Sequence, residues 1–194
     1  MFEMNKGNRR MINSRKQAGF SMMELLVAVL VMGVGVLGVT GLQLISLQNN
    51  QDALLRSEAV MLAYDMIDRV RANVPVDVTG GVMTETKLYA DVAKDADPPA
   101  VGANDCMAAD CTPAAMVNFD LAYWKCSLGA HNEHAVCEAL READRLPAVE
   151  AQPGLPAGRG VVEIDDDMVI VTVEWEGFNN EVQTVTVRSK VYTG

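Results

Sequence analysis

Cys126, His131, His134 and Cys137 form the pattern C-x4-H-x2-H-x2-C, four side chains of the types that bind zinc. Their spacing matches no common zinc module, and two His three residues apart are ordinary on an exposed helix. Cys106 and Cys111 flank a tight Met-Ala-Ala-Asp loop. Four cysteines allow three disulfide pairings. Cys106–Cys111 with Cys126–Cys137 closes two local loops and is the expected set, although spacing alone leaves the connectivity open. Asp165, Asp166 and Asp167 could meet Ca²⁺, but no EF-hand pattern surrounds them, so a solvated acidic turn is expected. The chain has no G-x-S-x-G, no Gly-rich phosphate loop and no H-E-x-x-H. A nucleophile at Cys126 or Cys137 would need a free thiol. The expectation is therefore no enzyme, no catalytic residue, no cofactor and no bound metal. Zinc or disulfide turns on the compartment, and the N-terminal third decides that.

The 194 residues carry 16 basic and 26 acidic side chains, a net charge of −10. Residues 1–19 hold Lys6, Arg9, Arg10, Arg15 and Lys16 against Glu3, a net +4, which leaves −14 on the remainder. An acidic body argues against direct nucleic-acid binding. From Leu25 to Leu42 the chain reads LLVAVLVMGVGVLGVTGL, and no charge follows until Asp52. Eighteen apolar residues suffice for a transmembrane helix. A buried core helix rarely runs so long without a charge. A cleaved secretory signal would be shorter and end at small residues, and no A-x-A-like site follows Leu42. The basic leader stays in the cytoplasm by the positive-inside rule, so the C-terminal body is exported and its cysteines are expected to oxidise. Glu24 interrupts the apolar pattern at its start. Spacing alone reads it as an interfacial carboxylate reaching headgroup water.

Ala18-Gly19-Phe20-Ser21-Met22-Met23-Glu24-Leu25-Leu26 resembles the processing site of type IV prepilins: a basic leader ending in Gly, then Phe, an acidic residue four positions later, and an apolar helix. The resemblance implies cleavage between Gly19 and Phe20 by prepilin peptidase, N-methylation of Phe20, and a mature chain of 175 residues that keeps its helix. It also implies that Glu24 pairs with the Phe20 amine of a neighbouring subunit during assembly, which would offset the cost of an apolar-embedded carboxylate. The segment Arg56–Asn73 resembles the post-membrane helix of PilV-type minor pilins. Leu155-Pro156-Ala157-Gly158-Arg159-Gly160, after Tyr123-Trp124-Lys125-Cys126, resembles their C-terminal region, where such a segment enters the sheet.

No proline occurs between residues 20 and 74, so helix is expected to about Asn73. Leu54, Leu55, Met61, Leu62, Met66, Ile67 and Val70 recur at helical spacing and mark an amphipathic second half. Gly33, Gly35, Gly38 and Gly41 serve either close helix packing or local flexibility. In the head, helices are expected at 86–94, 114–126 and 131–145, with Phe119, Leu121, Tyr123 and Trp124 as anchors. Strands are expected at 160–164, 168–176 and 181–192. The last two alternate apolar and polar residues, and Gly177–Asn180 joins them as a hairpin.

The expected fold is α+β: a long N-terminal helix covering a small C-terminal antiparallel sheet. The parts are a removed leader (1–19), a transmembrane and filament-core helix (20–42), its amphipathic half (43–73) and an exported head (74–194) with the sheet at 160–192. The resemblance implies a minor pilin acting in a tip or priming complex, with pilus biogenesis, twitching motility or adhesion downstream. Its partners would be other minor and major pilins, prepilin peptidase, the inner membrane and the pilus assembly platform. The head would lie in the periplasm and later at the cell surface. Two alternatives stand beside it: a type II secretion pseudopilin, with the same N-terminal signal, and a membrane-anchored metal- or ligand-binding module.

Overall fold

The computed structural model describes residues 19–73, 89, 92–101, 106–165 and 168–190. Residues 1–18, the segment 74–88, Asp166, Asp167, Val191 and Tyr192 lie outside the described residues. By its contacts the chain divides into two units, Met1–Ser46 and Leu47–Gly194.

Helix α1 runs Met22–Asn73. Its Met22–Ser46 part belongs to the first unit, where the side chains are exposed throughout. Gly33, Gly35, Gly38 and Gly41 meet nothing within 4 Å there, yet the helix is unbroken. In the second unit α1 buries Ala59, Leu62, Ala63, Met66, Ile67 and Val70. These positions fall on one face because side chains three and four residues apart share it.

Helix α2 spans Pro113–Leu128. Thr112 caps it, accepting from the Ala115 N–H at 3.3 Å, and Pro113 opens the first turn, where its missing N–H costs nothing. Gly129, at φ 117°, ends it. Helix α3 covers only Ala135–Glu142, against the expected 131–145. The His131 carbonyl closes a tight turn onto the His134 N–H at 2.9 Å. The His134 ring then caps α3, with Nδ1 accepting from the Val136 N–H at 3.3 Å. At the far end the Leu140 carbonyl accepts from Arg145, and Asp144 takes a positive φ of 55°. The expected helix at 86–94 is also corrected at its described end. Val92 forms an isolated antiparallel bridge with Val162, so the chain there is extended along the sheet.

The sheet has order β1-β2-β3 and is antiparallel: β1 Arg159–Asp165, β2 Met168–Glu176 and β3 Val182–Lys190. A single helical turn at Phe178–Asn180 closes the β2–β3 hairpin. Val162, Val171 and Val187 align across the three strands, as do Gly160, Val173 and Val185. That face packs on α1 and α2 in one core with Leu62, Met66, Ile67, Val70, Trp124 and Leu155. The architecture is α+β, a long N-terminal helix packed on a three-stranded antiparallel sheet. A second, smaller core joins Phe119, Ala122, Cys126, Cys137, Leu140 and Leu146 between α2 and α3.

Entry into β1 is governed by Leu155–Gly160. The Leu155 N–H donates to the Leu128 carbonyl at 2.8 Å, and the Gly158 N–H to Leu155 at 2.9 Å. A Cβ on Gly158 would stand 2.0 Å from the Leu128 carbonyl oxygen, and one on Gly160 2.3 Å from the Trp124 ring. The two glycines are therefore places of close approach, and φ is not their reason. Gly158→Ala should cost about 1–3 kcal/mol as overpacking. Thermal unfolding in detergent should show a Tm fall of several degrees. An unchanged Tm would mean that the loop shifts freely off α2.

Candidate functional site

The helix start is the first candidate site. Ser21 caps α1: its Oγ accepts from the Met23 N–H at 3.3 Å and its carbonyl from the Glu24 N–H at 3.0 Å. Glu24 falls in the first helical turn, where a carboxylate opposes the positive end of the helix dipole. Ser21-Met22-Met23-Glu24 is an S-x-x-E pattern, a helix-start signature that the reading of Glu24 as merely interfacial overlooked. Gly19 and Phe20 precede the helix, and the Phe20 ring is 79% exposed. Gly19 has open space around its α-carbon. Beyond them, the apolar stretch of α1 has a mean hydropathy of 2.5 with none of it buried, which makes it long and apolar enough to cross a membrane.

The head places the cysteines in two disulfides, Cys106–Cys111 and Cys126–Cys137. The second ties α2 to α3 with its Cα atoms 5.3 Å apart, inside the smaller core. With both sulfurs bonded, the Cys2His2 zinc arrangement cannot form from these side chains. His131 and His134 lie near one another, their ring centres 6.3 Å apart. Burial lowers the His131 pKa, and the Lys125 ammonium adds to the effect, so neutral imidazole is favoured there. Asp165 ends β1 on the exposed side.

A polar network bridges α1 and α2 beside the main core. Asp120 is buried on α2 and accepts from the Tyr89 hydroxyl at 2.6 Å and from Arg69 at 3.2 Å. Arg69 also pairs with Asp65, 2.8 Å away, and its guanidinium lies 4.2 Å over the Tyr123 ring. Asn73 donates to the Tyr89 hydroxyl at 3.0 Å and to the Pro113 carbonyl at 2.9 Å. Burial works against the Arg69 charge, but Asp65 and Asp120 more than offset it and raise its pKa. Burial likewise raises the Tyr89 hydroxyl, and the Asp120 carboxylate raises it further. Asp120 is raised above the ordinary 3.8 by burial, with Tyr89 and Arg69 pulling it partly back. Lys125 is the other buried charge among the described residues. Its Nζ donates to the Ala93 and Ala96 carbonyls at 2.9 and 2.6 Å, tying residues 93–96 to α2. Burial lowers its pKa, which Asp95 and Asp97 counter. Neither buried charge was visible in sequence, because a lone Asp or Lys on a helix usually reads as solvated.

These features define a class: an α+β head on a long N-terminal helix whose first part is apolar and unburied. A family model described as type IV pilin Tt1218 matches residues 41–122, and a model of the prokaryotic N-terminal methylation motif matches residues 14–40. No curated protein and no solved structure matches the chain significantly. The two matches support a likeness to type IV pilins over residues 14–122, and with it a role of pilin type in assembly. In general terms they imply contact with other pilins and with prepilin peptidase.

Two measurements test the head. Replacing both Cys126 and Cys137 by Ser should cost about 2–4 kcal/mol and lower the Tm, because the small α2–α3 core loses its cross-link. For Asp120, the folded pKa is raised. Its stabilising contribution is then fully present below about pH 3.8 and is lost as pH rises through the raised value. Asp120→Asn cannot ionise, so the wild type should lose stability relative to this variant as pH rises from 3.8 through the raised value. Denaturant unfolding followed by tryptophan fluorescence reads the difference. A gain in that window would contradict the sign.

Proposed function

We propose that the protein is a minor type IV pilin of PilV type. In this reading prepilin peptidase cuts between Gly19 and Phe20 on the cytoplasmic side and methylates the Phe20 amine. The mature chain stays in the inner membrane through residues 20–42, with residues 74–194 in the periplasm. It then joins other minor pilins in a complex that primes assembly and stands at the pilus tip, alongside major pilins and on the assembly platform. Surface motility and adhesion follow at one remove.

The observation that carries the reading is the helix start. Phe20 is exposed next to a Ser21-capped turn bearing Glu24, and an unburied apolar span follows. A carboxylate at that point needs a cation once water is excluded. The Phe20 ammonium of a neighbouring chain is a cation of the right kind, released by the same cleavage. The match to an N-terminal methylation motif over residues 14–40 supports this use of Phe20. The head adds the part a partner would recognise, and its two disulfides suit an oxidising destination.

The intact mass of the chain from membrane and sheared-surface fractions is the direct test. The expected product begins at methylated Phe20 and is about four Da lighter than its reduced form, since two disulfides remove four hydrogens. A chain keeping Met1, or cut beyond Leu42, would overturn the reading. Gly19→Ala should block most processing. Glu24→Ala should leave cleavage intact but lower recovery in sheared filaments, and unchanged recovery would remove the proposed pairing. Recovery in sheared surface filaments also distinguishes a pilus subunit from a pseudopilin of a secretion system.

A further inference from the structure

The face of the sheet turned away from α1 carries an ordered charge pattern. In one cross-strand row Glu163, Ile170 and Arg188 are aligned, and in the next Asp165, Met168 and Lys190. A third row holds Val161, Thr172 and Thr186, with the two threonine hydroxyls 3.0 Å apart. The β1 side of this face is acidic, the β2 centre is half-buried apolar and hydroxyl, and the β3 side is basic. Glu163 and Arg188 are both exposed. They stand on the two outer strands, about 10 Å apart at ordinary strand spacing, so they do not satisfy one another. The far end of the face is closed, because Glu174 is paired with Lys94 at 2.8 Å and Arg159 with Asp95 at 3.0 Å.

We infer that this face docks on the same face of a second copy of the chain, about a two-fold axis running along β2. That rotation exchanges the β1 and β3 sides while keeping each row level. Glu163 of each copy then meets Arg188 of the other, and Ile170 and Thr172 meet their own counterparts. The result is an aligned sheet-on-sheet packing. A two-fold axis across the strands instead sets β1 against β1, bringing Asp165 over Arg159, which Asp95 already holds. The partner is therefore self-complementary by charge along one axis only. The flanking pairs set register and specificity more than affinity, and the half-buried Met168, Ile170 and Thr172 supply the apolar contact. Association should be weak and should fall as salt rises.

The test uses the full chain in detergent micelles at low ionic strength, with Thr172→Cys added as a proximity probe. All four native cysteines are disulfide-bonded, so the new thiol reports alone. Mild oxidation should give a covalent dimer through position 172, because that site lies next to the axis. Adding Glu163→Arg or Arg188→Glu should lower the dimer fraction roughly tenfold or more, since each change reverses two symmetry-related pairs. Mixing the two charge variants one to one should restore it. No dimer at position 172 would overturn the inference. So would a dimer that ignores both reversals, as association through the apolar helix would produce, or a mixture that fails to recover, as an unrelated partner would give. Cleavage at Gly19 is not part of the readout, so failure here is separate from failure of the pilin reading.

Discussion

The head is organised around Trp124. Its ring is fully buried, its Nε1 donates to the Leu62 carbonyl of α1 at 2.8 Å, and its edge lies against Gly160 of β1. One side chain thus touches α1, α2 and the sheet. The hydrogen bond matters as much as the area, because a buried indole N–H without an acceptor is costly. A glycine at 160 follows from the ring, since any Cβ there would occupy the space of the Trp124 edge. The ring fixes how far β1 stands from α2, and the register of β2 and β3 is then set by antiparallel pairing from β1 outward.

The polar network and the buried lysine explain how such a core accommodates charge. Asp120, Tyr89, Arg69 and Asn73 satisfy one another across α1 and α2. Leaving one partner out would strand the rest in low dielectric. Lys125 solves a different problem. Residues 93–96 run past the sheet as a turn with carbonyls that need donors, and its ammonium supplies two hydrogen bonds. Together with the Val92–Val162 bridge and the ion pairs of Lys94 and Asp95, this holds the connection against the β1 edge. An edge strand covered in this way is protected from unintended pairing.

Much of this was legible in the residues. The strict alternation of Val169, Val171, Val173 and Trp175 placed β2 without error, since a period of two admits one buried face. The apolar run of α1 was equally plain, and its amphipathic continuation was so in part: Leu62, Met66, Ile67 and Val70 are buried, whereas Leu54 and Met61 are exposed and Ala59 and Ala63 fill the face instead. Local signals were overridden where side chains cap or tie the backbone. Helix α3 is shorter than its composition suggests because His134 caps it and the Leu140 carbonyl closes its end. Residues near Val92 have helical composition but are drawn into the sheet by pairing and by Lys125. The Lys125–Ala93 and Val92–Val162 contacts span 32 and 70 residues, a separation at which periodicity carries no information. The roles of Gly158 and Gly160 were likewise hidden, because a Pro/Gly-rich loop looks the same whether its glycines turn the chain or make room for Trp124.

The two units of the chain answer to different solvents. The head gathers most of its large apolar side chains into buried cores. The Met22–Ser46 part of α1 buries none. In water that surface would be an aggregation hazard, whereas in a bilayer or among like helices it is the favoured contact. A helix in hydrocarbon already satisfies its backbone internally, so it needs no help from the head. What it cannot satisfy alone is its first turn, where the free N–H groups and Glu24 lie at the apolar boundary. Ser21 meets part of that need through its side-chain and main-chain bonds. In the proposed assembly the Glu24 carboxylate, already favoured by the positive end of the helix dipole, would take its cation from outside the helix. On that reading, an otherwise uniform apolar surface would have one specific point of engagement.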